Sequence, residues 1–151
     1  MEYAMQDLVN DIVAALRPLA TEGRVLHVGE GCGADTIASL EERIGWTLPA
    51  DYREFLRMTN GLRIADEYES VFIDLHEAKD LPVPIDDDQR ETLGADGVDL
   101  GRSLIVGRVP MHNLYVFIDQ DTSETVRWTD WEATRYSSFG AFLHAEAQMA
   151  R

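Results

Sequence analysis

The sequence is poor in three features that mark whole classes of protein: cysteine, long apolar runs and a basic N-terminal segment. Its single cysteine, Cys32, excludes an internal disulfide framework and fits a reducing compartment. No apolar run approaches the ~20 residues of a membrane-spanning helix. The N-terminus carries Glu2, Asp7 and Asp11 and lacks the basic and then apolar order of a signal peptide. We therefore expect a cytoplasmic protein.

Basic residues are also scarce, since 13 lysines and arginines stand against 28 acidic residues and the formal charge is −15. This charge repels nucleic-acid phosphates and anionic membranes, so direct binding to either is disfavoured. It favours a basic protein partner, because complementary charge speeds the encounter. The segment from Asp66 to Asp99 has twelve acidic residues against Lys79 and Arg90, a formal charge of −10. That segment is either a solvated surface or a docking surface for a cationic protein.

Length and composition predict one domain over residues 1–151. Apolar residues make up 45% and charged residues 27%, as in ordinary soluble globular proteins. A chain of this length buries enough surface to fold without a metal ion or a disulfide. Apolar residues recur with helical spacing in the first part of the chain and alternate in the second part. The expected helices are 1–20, 34–44, one that opens at Leu48-Pro49, one turn within 76–81, and a last helix capped by Ser137 or Ser138; the expected strands are 25–28, 71–75, 104–106, 114–118 and 125–128.

This order of elements predicts an α+β fold with N-terminal helices, a largely antiparallel sheet and a C-terminal helix. Residues 82–101 are rich in proline, aspartate and glycine. Such a composition is typical of loops, so we expect an exposed acidic loop there.

A glycine-rich turn follows the first expected strand. Gly29, Gly31 and Ala34 match the dinucleotide-binding fingerprint, and the turn also resembles the first motif of methyltransferases that use S-adenosylmethionine. His27 stands where those methyltransferases usually carry an acid, and a helix follows instead of the second parallel strand of a βαβ unit. A small S-adenosylmethionine- or nucleotide-binding enzyme therefore stays only as an alternative.

Other candidate sites are incomplete. Asp119–Glu124 has part of the spacing of a calcium loop, but Glu124 stands where that loop needs glycine. The four histidines have no metal-ligand spacing. Cys32, at a helix start, could have a lowered pKa, although a lone cysteine without a specific histidine is more often inert. We expect no catalytic residue, no cofactor and no metal ion.

Two tryptophans, Trp128 and Trp131, lie near the end of the expected hairpin. Both could pack in the core, or one could be an exposed anchor at a protein interface, where tryptophan is enriched. With the acidic residues, they complete the candidate protein-binding set: Asp66, Glu67, Glu69, Asp86, Asp87, Asp88, Trp128 and Trp131.

The stretch from Ile37 to Gly61 reads Ile-x-x-Leu-Glu-x-x-Ile-Gly-x-x-Leu-Pro-x-x-Tyr-x-x-Phe-Leu-x-x-x-Asn-Gly. This pattern resembles the opening signature of the SUKH superfamily, the Smi/Knr type of domain. The later order also fits, with an apolar strand ending in Asp119, a hairpin, and Ser138-Phe139-x-x-Phe142-Leu143. The resemblance covers about residues 30–145.

The resemblance implies an α+β domain that binds proteins and is not known as an enzyme class. Bacterial members are largely thought to be cytoplasmic immunity proteins that bind toxin domains, many of them nucleases; fungal relatives regulate cell-wall synthesis. Nucleases tend to be basic because they hold phosphates. We therefore expect a non-enzymatic immunity protein that neutralises a toxin by stoichiometric binding, with acidic residues that steer the toxin and a tryptophan that anchors it. An adaptor or regulator is the alternative, and the partner's identity and the oligomeric state stay open.

Overall fold

A computed structural model describes residues 4–21, 23–65, 71–109, 114–129 and 132–151. Helices lie at both ends of the chain, and a run of strands lies between them. The helices are α1 (Met5–Leu16), α2 (Ala34–Ile44), α3 (Ala50–Met58), α4 (Asp87–Ala95) and α5 (Phe139–Ala150), with short 3₁₀ turns at Arg17–Leu19, Ala78–Asp80 and Leu100–Arg102. The strands are β1 (Val25–Val28), β2 (Leu62–Ala65), β3 (Val71–Leu75), β4 (Ser103–Val109), β5 (Leu114–Asp119), β6 (Thr125–Trp128) and β7 (Ala133–Tyr136).

The seven strands form one antiparallel sheet in sequence order, from β1 at one edge to β7 at the other. Each strand pairs with the next along the chain; the β1–β2 connection carries α2 and α3, and the β3–β4 connection carries α4. This arrangement confirms the α+β fold with N-terminal helices, an antiparallel sheet and a C-terminal helix.

The centre of the sheet is covered on both faces. Arg127 of β6 contacts Glu146 of α5, whereas the next residue, Trp128, donates a hydrogen bond to Asp96 just after α4. Because successive side chains of a strand point to opposite faces, α5 and α4 lie on opposite sides of the sheet.

The thicker layer is built by α1, α3 and α5. Phe139 of α5 lies between Tyr52 and Phe55 of α3, with ring centroids 4.8 and 4.9 Å apart. Ile12 of α1 and Leu143 of α5 are fully buried with these rings. Burial of aromatic and branched side chains of this size is the main stabilising contribution to the layer.

Two helix boundaries follow from single residues, as the sequence predicts. Gly45 ends α2 with φ of 78°, a left-handed conformation that glycine adopts without strain. Ser138 caps α5, and its Oγ accepts a hydrogen bond from the Ala141 amide at 3.0 Å. The predicted end of the second helix at residue 44 and the predicted serine cap of the last helix are thus confirmed.

The prediction of a loop throughout residues 82–101 is wrong. This segment contains α4 and one 3₁₀ turn. Asp86 caps α4, since its carboxylate accepts a hydrogen bond from the Gln89 amide at 2.9 Å, and Leu93 is fully buried. The helix forms because a good cap and one buried leucine outweigh a composition that favours loops.

Strands β2 and β7 were not among the predicted elements. Both are four residues long, and the apolar alternation in so short a segment is weak. β2 pairs with both β1 and β3, and β7 pairs with β6. Pairing with neighbours therefore decides these two strands.

Candidate protein-interaction surface

Helix α4 is fixed to the sheet at two points. Leu93 is fully buried, and the indole Nε1 of Trp128 donates to Asp96 Oδ2 at 2.8 Å. The ring of Tyr115 lies beside Trp128, with centroids 6.0 Å apart. The inner face of α4 is thus anchored, which holds its outer face in a defined position.

That outer face is acidic. Asp87, Asp88 and Glu91 are exposed, and they lie within one helical turn of each other. Residues three and four positions apart are neighbours on a helix surface, so the three carboxylates form one patch beside the cap residue Asp86. We call these four residues, Asp86, Asp87, Asp88 and Glu91, the α4 acidic surface.

The carboxylates of this surface are not neutralised locally. Among the residues that the structure describes, no salt bridge includes any of the four. Arg90 is the one basic residue in α4. Asp86, Asp87 and Asp88 also lie at the positive end of the helix dipole, so they contribute to the stability of α4.

Another acidic group, at the β5–β6 turn, is different because arginines neutralise it. Arg102 Nε lies 2.7 Å from Asp121 Oδ1, and Arg135 Nη1 lies 3.0 Å from Glu124 Oε1 and 3.5 Å from Asp119 Oδ2. The guanidinium of Arg102 holds the pKa of Asp121 below its ordinary value. A cationic partner would compete with these arginines there, whereas the α4 acidic surface is open to it.

The predicted binding residues fall into three groups. Asp86, Asp87 and Asp88 lie together on the α4 acidic surface. Trp128 is 1% exposed, so the prediction that it could be an interface anchor is wrong; its ring is enclosed between α4 and the sheet. Outside the described residues lie Asp66, Glu67, Glu69 and Trp131.

Sequence reasoning missed Glu91 as part of this surface. Its contribution depends on a helix that places it one turn after Asp87 and Asp88. The signal that could have found it is the capping spacing of Asp86 and Gln89, in which a cap residue is followed three positions later by glutamine at the start of a helix.

The glycine-rich turn has a packing role that the nucleotide-binding hypothesis did not include. A Cβ on Gly29 would lie 2.2 Å from the carbonyl oxygen of Asn60, and one on Gly31 would lie 1.7 Å from that of Arg57. The chain after β1 therefore runs directly against the end of α3. The turn also follows an antiparallel edge strand, so the parallel βαβ frame of the fingerprint is absent from this part of the described chain.

Cys32, just after this turn, is not an activated thiol. Its amide donates to the Leu56 carbonyl at 2.9 Å, and its side chain is half-buried. Burial raises the pKa of Cys32, which outweighs the lowering by its backbone hydrogen bond and by Arg57. The suggestion of a lowered pKa at this helix start is wrong, because the thiol is desolvated.

The residues that resemble a calcium loop bind arginines instead, as described for the β5–β6 turn. Within the described ranges, no group of three His, Cys, Asp or Glu side chains is arranged to hold a metal ion. None of the helices in these ranges is both long enough and apolar enough to cross a bilayer.

A groove of about 730 Å³ lies between α1, α3 and α5. Its walls include Leu8, Glu54 and His144. Asp51 accepts a hydrogen bond from the Gly140 amide at 2.9 Å, so this carboxylate ties α3 to the start of α5. The groove is concave and mixed in polarity, and its acidic residues add to the overall negative charge.

The polar residues of the 37–61 signature hold the scaffold together. Glu41 Oε2 accepts from the Leu48 amide at 2.7 Å and bridges α2 to α3. Asn60 Oδ1 accepts from the Ala78 amide at 2.7 Å and joins the end of α3 to the turn after β3. Gly61 adopts φ of 104°, close to Glu77.

The family model of the SMI1 / KNR4 family (SUKH-1) matches residues 31–145. The chain belongs to the SMI1 / KNR4 family. In this SMI1 / KNR4 domain the match includes α2 to α4, β2 to β7 and the first part of α5, which confirms the resemblance inferred from the signature. No curated protein matches the chain.

Proposed function

We propose that this SMI1 / KNR4 domain is a cytoplasmic immunity protein that neutralises a basic toxin domain, such as a nuclease, by stoichiometric binding and without turnover. The observation that carries the proposal is the α4 acidic surface. Its carboxylates are exposed, lack arginine partners among the described residues, and sit on a helix that Leu93 and Trp128 fix to the sheet.

Fixed carboxylates are suited to covering a phosphate-binding site. A nuclease holds its substrate with lysines and arginines, and carboxylates at fixed positions can pair with the same groups. Because α4 is already ordered, little conformational entropy is lost when the partner binds. The charge of −15 adds long-range attraction, which raises the association rate more than the final affinity.

The experiment begins with the product of the neighbouring reading frame. We expect this chain to abolish the toxicity of that protein when the two are co-expressed in a bacterial host, and to form a complex of fixed stoichiometry with it. Association measured by stopped flow should slow markedly as NaCl rises from about 20 mM to about 500 mM, because salt screens the attraction.

A matched pair of variants separates the α4 acidic surface from the overall charge. Asp87→Asn/Asp88→Asn/Glu91→Gln removes three charges from α4. Asp35→Asn/Glu42→Gln/Glu54→Gln removes three exposed charges from α2 and α3. We expect the α4 variant to slow association roughly 10-fold or more and the control variant to slow it only a few-fold.

Equal effects of the two variants would show that the surface is not the docking site. A neighbouring product that is not toxic, yet binds this chain, would favour the adaptor or regulator alternative. Circular dichroism of each variant establishes that α4 is still folded.

A further inference from the structure

The groove between α1, α3 and α5 continues along the helices. A second hollow of about 340 Å³ lies next to it between α1 and α5, and Leu8 and His144 line both hollows. The α5 residues that line them include Ser138, Ala141, His144 and Gln148, whose spacing of three or four places them on one stripe of the helix. From Ser138 to Gln148 this stripe is about 15 Å long. The two hollows therefore form one channel, which we call the α1–α5 groove.

The shape of the α1–α5 groove suits a helix. Small or apolar side chains line it where α1, α3 and α5 meet: Ala50, Ala141 and Pro49, with the nearly buried Met5 and Leu8. Short side chains let the axis of another helix approach to about 8–10 Å. The long walls are helices, which use their backbone groups internally, so they offer no strand edge with which an extended chain could pair. A helix satisfies its own backbone groups and can lay an apolar face on such a lining.

The charge of the α1–α5 groove selects a basic ligand. Asp51 and Glu54 line it on α3, and Asp7 and Asp11 line it on α1. Asp11 forms an ion pair with Arg151, and Asp51 accepts one backbone amide of α5. Within the described ranges, no salt bridge includes Asp7, Asp51 or Glu54. These three carboxylates are thus open to lysines or arginines of a ligand.

We propose that the α1–α5 groove binds a basic amphipathic helix of a partner protein. Its apolar side chains would lie on Ala50 and Ala141, and its lysines or arginines would face Asp7, Asp51 and Glu54. A second copy of this chain is a poor occupant, because two molecules of charge −15 repel each other. The helices of the groove lie on the face of the sheet opposite α4, so a globular partner on the α4 acidic surface does not cover it. The groove is therefore a second binding surface, and its partner need not be a toxin.

Two synthetic peptides test the proposal. The probe is a fluorescently labelled peptide of about 14 residues, half leucine and half lysine, with the leucines at helical spacing. The control peptide has the same composition, but its leucines and lysines alternate as in a strand. Fluorescence anisotropy at about 150 mM NaCl should give a Kd on the order of 10 μM for the helical peptide and binding at least about 10-fold weaker for the control. Equal affinities would mean that net charge alone holds the peptides, which would overturn the proposal.

Three charge reversals locate the bound peptide. Glu54→Lys, Glu42→Lys and Glu91→Lys each replace an exposed glutamate and change the net charge equally, but of the three only Glu54 lines the groove. We expect Glu54→Lys to weaken binding of the helical peptide roughly 10-fold and the other two to weaken it about 2-fold or less. Equal weakening by all three, or the largest weakening by Glu91→Lys on α4, would overturn the proposal. Association with the toxin should show the opposite order, so the two proposals can fail separately.

Discussion

The central strands and the β1 edge differ in how they are covered, in charge and in what they offer a partner. β4 to β6 lie between α5 on one face and α4 on the other, and most of the side chains that the structure describes in them are buried. β1 has one paired side, and three of its four residues are exposed.

This difference separates two kinds of recognition. The central region presents the outside of α4, where carboxylates are ordered and lack salt bridges among the described residues, and it suits a partner of opposite charge. The β1 edge presents open backbone groups and two valines without acidic residues, and it suits another strand. A protein with a large net negative charge thus keeps one sheet edge at which pairing with another strand would use backbone hydrogen bonds and apolar side chains.

The largest expected effect is at the contact that fixes α4 to the sheet. Trp128→Ala removes an almost fully buried ring and its hydrogen bond to Asp96, and should lower the free energy of unfolding by about 3–5 kcal/mol. Asp96→Asn keeps an acceptor for the indole and should cost less than about 1 kcal/mol. Urea denaturation measures both free energies of unfolding. A loss below about 1 kcal/mol for Trp128→Ala would mean that its contact with α4 contributes little to the stability of the protein.

The next largest loss of stability is expected in the glycine-rich turn that follows β1. Gly31→Ala places a Cβ against the Arg57 carbonyl and should destabilise the protein by about 1–3 kcal/mol. Gly33→Ala is the control for steric fit, because no atom lies within 4 Å of its added Cβ. Gly33 caps the start of α2, where alanine is less favourable than glycine, so this variant should cost less than about 1 kcal/mol. Similar thermal midpoints for the two variants would contradict the close approach of this turn to α3.

A smaller effect is expected at the cap of α4. Asp86→Ala removes the acceptor for the Gln89 amide and should cost about 1 kcal/mol. Asp86→Asn removes the charge and keeps a good cap, so its effect on stability should be close to zero. Hydrogen exchange of the α4 amides would locate the loss; equal losses would mean that the charge and not the cap matters.

The smallest effect is a pH dependence in the covered region. Burial raises the pKa of Glu146, and Arg127 offsets only part of this shift. A carboxyl whose folded-state pKa is raised stabilises the protein below its unfolded pKa, and this contribution is lost as pH rises through the folded-state pKa. The unfolding free energy of the wild type, minus that of Glu146→Gln, should therefore fall as pH rises from about 4.3. Urea denaturation at each pH measures this difference; a rise for Glu146→Gln would mean that Arg127 outweighs burial.

The family and most of the scaffold can be predicted from local patterns. The bounds of α2 follow from the spacing of Ile37 and Leu40 and from Gly45, which adopts the left-handed conformation that stops a helix. Ser138 caps α5 for an equally local reason. Patterns of this kind are readable because a helix stripe or a cap depends on residues within one or two turns of each other.

The candidate site is less predictable, because it depends on contacts between distant residues. Asp86, Asp87 and Asp88 are visible as acidic residues in the sequence, but their patch exists because α4 forms, and α4 is fixed by Trp128, 32 residues after Asp96. The same contact takes Trp128 away from the surface. Gly29 and Gly31 likewise match a nucleotide-binding pattern in the sequence. In the structure, both residues lie so close to the end of α3 that no side chain fits there.

Fold class, charge and the ends of the longer helices are thus properties of neighbouring residues and of composition. The existence of α4, the burial of Trp128 and the open edge at β1 are properties of the assembled sheet. Burial and strand pairing are free-energy gains that arise only when separate segments meet, so short-range patterns do not contain them.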